Sequence, residues 1–285
     1  MSKILLNDCG PEVTQMVNKL LGEKIAVQNS SFDAAKSLQQ FNMVILEAGN
    51  KKPEELFQQV KSLRYACNFR NIPIILIKNQ SDNRPNHSYI MAGATEILSL
   101  QDPPLACRQI LQGYLIPNRQ PLEQEMEYLT TFINSTRHVL KTMASMEAEY
   151  KELYFANDFR IFGDISGIIG LSGEAEGTAV ITFYWDLARK VISQMMRVTD
   201  DKINAELIHD GVGELINMIS GFSKKSFIGK PYHFELSLPT VVMGSGHQIG
   251  HPEDSSIAML IFDMERSSFA LQVCLKTKVK KRMIS

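Results

Sequence analysis

The feature that most constrains the fold is a regular alternation of apolar runs and helical segments across residues 1–117. Each run is short and nearly continuous, and the segments between runs carry apolar residues at helical spacing. The runs lie at residues 3–6, 24–27, 43–46, 72–77 and 95–98. Strands of this kind are buried on both faces when helices cover the sheet. The pattern therefore predicts an α/β domain with a five-stranded parallel sheet and five helices.

Prolines and one glycine help to place the helices of this first half. Pro53 and Pro103 suit the first turns of two helices, and Gly93 suits the end of another. The residues Phe32, Ala35 and Leu38 predict a helix between the second and third strands. All of these helices fall between consecutive strands, as a parallel sheet requires.

The pattern changes after residue 114. Residues 115–122 (LIPNRQPL) contain two prolines and few periodic apolar residues, which indicates a boundary. We place the linker at 118–124, the first domain at 1–117 and the second at 125–285. A chain of 285 residues with 44% apolar residues is large enough for two domains, each with its own core.

The second half predicts an α+β domain with an antiparallel sheet and long helices. Strands and helices follow each other in blocks instead of alternating. Helices are expected at about 122–147, 186–196 and 203–222, and strands within 159–183 and at 232–242, 256–262 and 268–276. The glycines of the 159–183 segment are interpreted as turns and bulges, with a hairpin turn at 171–177.

Composition excludes several classes of protein. The formal net charge is −1, so nothing suggests nucleic acid or a membrane surface as a partner. The four cysteines are far apart and form no CxxC motif, which argues against zinc and against a disulfide framework. His247 and His251 are four residues apart, but no further ligand is evident, so we expect no metal site. The absence of a signal peptide pattern and of long apolar segments predicts a cytoplasmic protein.

The segment 203–227 is the main candidate for function. On a helical wheel, Ile208, Val212, Leu215, Ile216, Ile219 and Phe222 share one face. The opposite side carries Asp210, Glu214, Asn217 and Gly221, and Glu214 and Asn217 are neighbours because they are three residues apart. Gly211, Gly213 and Gly221 each cost the helix roughly 1 kcal/mol relative to alanine. Spacing alone is also compatible with an ordinary amphipathic helix.

Three stretches of the second half resemble the CheX family of the CheC/CheX/FliY phosphatases. They are GDISGIIGLSGEAEGTAVITF (163–183), DGVGELINMISGFSKK (210–225) and YHFELSLPTVVMGSGHQIGHP (232–252). The ExxN signature of that family maps onto Glu214 and Asn217. The resemblance implies that Asn217 orients a water for attack on an acyl phosphate in a partner, and that Glu214 pairs with a lysine of that partner.

The wheel and the glycine cost make Asp210, Gly213 and Gly221 the candidate docking residues, because a partner backbone that approaches closely would compensate for the glycines. The resemblance implies that this partner is a phosphorylated CheY-like receiver. The chain would need no cofactor of its own, because the Mg²⁺ ion belongs to the partner. A homodimer is also implied, since dimers are common among CheX-like proteins.

The first half resembles a response-regulator receiver domain with a flavodoxin-like fold, but its reactive positions depart from that family. The acidic pair after the first strand is Asn7 and Asp8, and the phospho-acceptor position holds Glu47. The Thr/Ser position holds Lys78, and the lysine position holds Leu100. The longer glutamate displaces its oxygen from the line of attack, and a carboxylate for magnesium is missing. We therefore predict a receiver fold that is not phosphorylated. Drift after loss of function is the simpler explanation of Glu47, and mimicry of a phosphorylated state is the alternative.

The sequence thus predicts a protein aspartyl-phosphate phosphatase that acts in trans on a receiver of a chemotaxis or related two-component pathway. The alternative is a non-catalytic adaptor that docks a receiver without hydrolysis. The loss of chemistry in the first domain favours the adaptor, and the intact Glu214 and Asn217 pair favours the enzyme.

Overall fold

A computed structural model shows that the chain divides into two compact units, Met1–Pro117 and Asn118–Ser285. The structure describes residues 2–22, 26–30, 38–78, 85–116, 118–156, 161–230, 232–244, 246–247, 249 and 256–277. Among these residues, every helix is too short or too polar to span a lipid bilayer.

The N-terminal unit is built on a five-stranded parallel sheet. Its elements are β1 (Lys3–Asn7), α1 (Pro11–Leu21), β2 (Ala26–Asn29), a 3₁₀ turn (Leu38–Gln40), β3 (Met43–Glu47), α2 (Pro53–Ala66), β4 (Ile74–Lys78), α3 (Asn86–Ala92), β5 (Glu96–Ser99) and α4 (Pro104–Tyr114). The strand order is β2-β1-β3-β4-β5, and all four strand pairs are parallel. This is the flavodoxin-like order, so the predicted fold class of the first half is confirmed.

Alternation of side chains along the strands produces two cores, one on each face of this sheet. Ile4 and Leu6 belong to the core that includes α1 and α4, whereas Leu5 belongs to the core that includes α2 and α3. The topology also has a switch point, because β2 and β3 lie on opposite sides of β1. The carboxyl ends of β1 and β3 therefore meet at one edge, where flavodoxin-like sheets place their functional residues.

The predicted helix between the second and third strands lies mostly outside the described residues. Phe32 and Ala35 fall in that range, while Leu38 is buried and begins the 3₁₀ turn. The second strand is Ala26–Asn29, two residues later than the predicted run at 24–27. Gly93 follows the last residue of α3 with φ +120°, as predicted for a helix end.

The C-terminal unit contains a seven-stranded antiparallel sheet with three long helices, which confirms the predicted fold class of the second half. Its elements are α5 (Glu123–Ala144), β6 (Glu149–Ala156), β7 (Ile165–Gly173), β8 (Ala175–Phe183), α6 (Trp185–Met196), a 3₁₀ turn (Asp200–Lys202), α7 (Ala205–Ser226), β9 (Phe234–Leu236), β10 (Thr240–Met243), β11 (Ile257–Met264) and β12 (Ser267–Thr277). The strand order is β10-β7-β8-β12-β11-β6, and β9 also pairs with β7.

A single core lies between one face of this sheet and the three helices. Alternate residues of β8 and β12, such as Ile181 and Leu271, pack in it against residues of the helices, such as Phe132 of α5 and Ile216 of α7. Burial of large apolar side chains on this scale is what fixes α7 against the sheet.

Two strands of this unit differ from the sequence expectation. The edge strand β6 was not predicted, because its charged residues Glu149, Lys151 and Glu152 hide the strand pattern. The predicted strand at 232–242 is divided into β9 and β10, and both pieces pair with β7. Pro239 lies in the break, and its missing N–H cannot take part in a strand ladder.

Candidate functional site

The helix α7 carries the predicted site and begins at a defined cap. The Asn204 side chain accepts a hydrogen bond from the Leu207 N–H at 2.9 Å. Glu206 lies in the first turn, and Lys224 and Lys225 lie in the last. Each charge opposes the partial charge at its end of the helix, so both ends are stabilised.

The buried face of α7 is close to the predicted one, with one exception. The five residues Ile208, Val212, Leu215, Ile216 and Ile219 have no exposed surface. Phe222, by contrast, is 39% exposed, so its assignment to the buried face is wrong. Its ring lies 4.7 Å from that of His138 on α5.

Two glycines let α7 approach its neighbours closely. A Cβ atom on Gly167 of β7 would lie 2.8 Å from the Val212 carbonyl oxygen, which is too short for any real contact. A Cβ atom on Gly211 would lie 2.6 Å from the Cδ1 atom of Ile192 on α6. Gly167 therefore serves packing under α7, and its interpretation as a turn or bulge residue is wrong. Gly173, with φ +127°, does form the predicted hairpin turn.

Glu214 and Asn217 lie on the outer side of α7. The Glu214 side chain is exposed and Asn217 is half-buried. Neither side chain makes a hydrogen bond or an ion pair with any part of the chain that the structure describes. Because the inner face of the helix is buried from Ile208 to Ser223, both groups are held in place yet remain available to an external partner.

The three residues expected to dock a partner have different surroundings. The Asp210 side chain is 73% exposed and lies 3.1 Å from Nδ1 of His209. Gly221 is half-buried, and a Cβ atom on it would meet nothing within 4 Å. Gly213 is buried, and a Cβ atom on it would lie 3.3 Å from Val241 of β10. Gly213 thus packs within the chain and offers no surface of its own.

The structure brings together the receiver-like positions at the carboxyl ends of β1 and β3. Asn7 has no exposed surface, and the Asp8 carboxylate lies 3.4 Å from the side-chain nitrogen of Gln59. The Glu47 carboxylate accepts a hydrogen bond from the Gly10 N–H at 2.5 Å, at the residue that precedes α1. Burial and then the Glu47 carboxylate raise the pKa of the Cys9 thiol to about 12. The Glu47 carboxylate therefore has a structural role, because its negative charge lies at the N-terminus of α1 and stabilises the helix dipole there.

The other two receiver positions have surroundings of their own. Lys78 Nζ donates to Asn86 Oδ1 at 3.2 Å and lies 5.6 Å from the centre of the Tyr89 ring. Leu100 is 41% exposed and carries no charge, so this position lacks the lysine that a phosphorylated receiver uses at that end of the sheet.

The histidine pair has no metal-binding surroundings in the described residues. His247 Nε2 lies 2.7 Å from Ser166 Oγ, and its Nδ1 lies 2.6 Å from the Gly244 carbonyl oxygen. His251 lies outside the described residues. Across the described ranges, no group of three or more His, Cys, Asp or Glu side chains is arranged to hold a metal ion.

Comparison with known proteins identifies relatives of the second half. The family model described as Chemotaxis phosphatase CheX matches residues 165–263, a range that contains α7 with Glu214 and Asn217. A curated relative, the CheY-P phosphatase CheX of Thermotoga maritima, is 28% identical over 118 residues, which is 41% of this chain and 75% of the relative.

Solved structures of CheX proteins are also similar. The chemotaxis protein CheX of Vibrio vulnificus is 32% identical, with a TM-score of 0.48, over 53% of this chain and 99% of that one. The CheX protein of Desulfovibrio desulfuricans is 28% identical, with a TM-score of 0.48 and the same two coverages. On the family match and the curated relative, the C-terminal unit of this chain belongs to the CheX family of chemotaxis phosphatases.

Proposed function

We propose that the C-terminal unit hydrolyses the aspartyl phosphate of a separate CheY-type receiver. The observation that carries this proposal is the pair Glu214 and Asn217, adjacent and without internal partners on the outer side of a helix whose inner face is buried. The relative from Thermotoga maritima is named a CheY-P phosphatase, which supports the same substrate class for this chain.

Hydrolysis of the aspartyl phosphate requires little more of this chain than the correct placement of the Glu214 and Asn217 side chains. Hydrolysis of an acyl phosphate adds one water, breaks the bond between phosphorus and the aspartyl oxygen, and yields a carboxylate and inorganic phosphate. Such transfers depend mainly on positioning and on electrostatic stabilisation. The Asn217 amide both donates and accepts, so it can hold the attacking water in line with the bond that breaks. A carboxylate in its place would repel the phosphoryl group.

Glu214 has a different part in the proposal. Its carboxylate lies on the same side of α7, one helical turn before Asn217, and would pair with a lysine that the receiver presents beside its phosphoryl group. The Mg²⁺ ion belongs to the substrate receiver. The four cysteine thiols of this chain are all buried, so none offers a nucleophile at this surface.

The N-terminal unit is not the substrate in this proposal. Glu47 is bound to the Gly10 N–H, and no lysine occupies position 100. We therefore assign this unit a regulatory or localising part, and we retain a homodimer as a proposal that the mass of the protein in solution would test.

The test is phosphate release from a freshly phosphorylated CheY-type receiver, with the wild type, Asn217→Ala and Asn134→Ala compared in parallel. Asn134 is an exposed asparagine on α5 and serves as the matched control. We expect Asn217→Ala to lower kcat by about 10²-fold or more, because misplacing a reacting group has a cost of that order. Asn134→Ala should match the wild type. Full activity of Asn217→Ala would refute the mechanism, and binding without hydrolysis by the wild type would establish the adaptor instead.

A further inference from the structure

The turn between β9 and β10 carries the most exposed large apolar side chain of the described residues. Leu238 is 89% exposed, although it lies between two strands of a well-packed sheet. Single exposed leucines are common on protein surfaces and need no explanation by themselves. Leu238 differs from such residues because its backbone is held rigidly and because its turn lies against α7, and these two observations suggest a binding role.

The turn is held rigidly to the sheet. The Ser237 N–H donates to the Gly170 carbonyl oxygen at 3.0 Å, and the Gly170 N–H donates to Ser237 Oγ at 2.9 Å. Ser237 Oγ also donates to the Leu238 carbonyl oxygen at 2.8 Å. The backbone that presents Leu238 is therefore fixed before any partner arrives, which lowers the entropy that binding must overcome.

The same turn lies against the helix that carries the site. A Cβ atom on Gly213 would lie 3.9 Å from Cγ of Pro239, and Gly213 directly precedes Glu214. Leu238 is the residue before Pro239. The turn that presents this exposed leucine therefore meets α7 at the residue that precedes Glu214.

We propose that Leu238 is an apolar anchor that docks the phosphorylated receiver beside Asn217. This inference rests on the proposed function and adds a binding determinant to it. The exposed side of the first half of α7 carries Glu206, Asp210 and Glu214, and that half contains no lysine or arginine. This acidic row fits the lysine of the proposed receiver, and burial of one apolar side chain beside such a charged contact adds binding free energy.

A second copy of this chain fits the turn less well. Two copies of a sheet join by continuous edge pairing, and here the edge is interrupted at Pro239, which has no N–H to donate. A copy seated on this turn would also lie against the part of α7 that leads into Glu214, and would obstruct the receiver there.

The experiment compares Leu238→Ser with Ile228→Ser, a control that alters a side chain 71% exposed beyond the end of α7. Phosphate release gives kcat and KM, and titration of the same CheY-type receiver activated with beryllofluoride gives Kd. For Leu238→Ser we expect KM and Kd to rise about tenfold, the loss expected when burial of a leucine is removed. Its kcat should stay within twofold of the wild type, and Ile228→Ser should change none of the three constants.

Each other outcome has a defined meaning. Unchanged KM and Kd in Leu238→Ser, or an equal rise in Ile228→Ser, would overturn the anchor. A lower mass of Leu238→Ser by light scattering would assign the residue to a contact between copies. If the wild type binds the receiver without hydrolysing it, the proposed function fails while Kd still tests the anchor. If the wild type neither binds nor hydrolyses it, both proposals fall.

Discussion

Glu47 in the N-terminal unit and Glu214 in the C-terminal unit are both carboxylates at positions to which the family resemblances assign phosphoryl chemistry. Glu47 is bound to the Gly10 N–H inside its own fold, at 2.5 Å. Glu214 is exposed and has no partner among the described residues. The comparison indicates that an acidic residue becomes structural when the fold satisfies it, and remains available for chemistry when a rigid helix presents it unsatisfied.

The largest expected effect separates these two carboxylates. We expect Glu214→Ala to lower kcat/KM for the phosphorylated receiver by about tenfold to a hundredfold, because a charge-assisted pair with the partner is lost. Its effect on the free energy of unfolding should stay within about 0.5 kcal/mol, since surface changes rarely do more. Glu47→Ala should do the reverse, with unchanged kcat/KM and a loss of about 1–2 kcal/mol in its own unit.

The chain offers a way to measure the two units separately. Trp185 is its only tryptophan and lies in the C-terminal unit, so its fluorescence reports unfolding of that unit. Circular dichroism at 222 nm reports both units. Urea unfolding of Glu47→Ala should therefore shift the circular dichroism curve and leave the Trp185 transition in place. A drop of phosphatase activity in Glu47→Ala would show instead that the N-terminal unit controls the site.

The next effect concerns how α7 is held. Gly167→Ala places a Cβ atom 2.8 Å from the Val212 carbonyl oxygen, so the helix must shift outward or the strand must bend. We expect the free energy of unfolding of the C-terminal unit to fall by about 1–3 kcal/mol, the usual range for overpacking. Because α7 shifts with the site on it, kcat should fall as well. Unchanged stability and kcat would mean that the close approach of β7 and α7 is dispensable.

Gly221→Ala is the matched variant on the open side of the same helix. A Cβ atom there meets nothing within 4 Å, so the change should stabilise the helix by about 0.5–1 kcal/mol. If Gly221 faces the docked receiver, as its place on the polar side of α7 predicts, KM should rise although stability improves. Equal KM values for Gly221→Ala and the wild type would remove Gly221 from the docking surface.

The sequence predicted those parts of the molecule that depend on local pattern. Alternation of apolar runs and helices was enough for the parallel sheet, and a three-residue spacing was enough to place Glu214 beside Asn217. It could not predict the bond between Glu47 and Gly10, because the two residues are 37 positions apart and meet only through the strand order. It also missed β6, because this edge strand is polar and lacks the apolar pattern of a central strand. Its pairing with β11 is visible only in the structure.

Side-chain environment was the second limit on the sequence predictions. Helical spacing assigned Phe222 to the buried face, but its ring remains 39% exposed although it contacts His138 of α5. Gly213 and Gly221 look alike in the sequence, yet one is packed against Val241 and the other faces open space. Periodicity predicts the face of the helix on which a side chain lies. Whether that side chain is buried depends on which neighbouring elements cover it.

The last expected effect, on stability alone, comes from Gln272, a polar group that is neither satisfied like Glu47 nor exposed like Glu214. It has no exposed surface, and neither atom of its amide has a hydrogen-bond partner in the described part of the chain. On β12 it pairs with Val180 of β8 and Met259 of β11, so its side chain lies in the middle of the sheet among apolar strands. A buried amide without partners costs stability.

Gln272→Leu keeps nearly the same volume and should raise the free energy of unfolding by about 1 kcal/mol, measured from the Trp185 transition in urea. Gln272→Ala is the control, because it removes the amide but opens a cavity and should lose stability. If Gln272→Leu also lowers the free energy of unfolding, an ordered water or another group must hydrogen-bond to the Gln272 amide. Gln272 would then resemble Glu47, whose side chain is hydrogen-bonded inside its own fold.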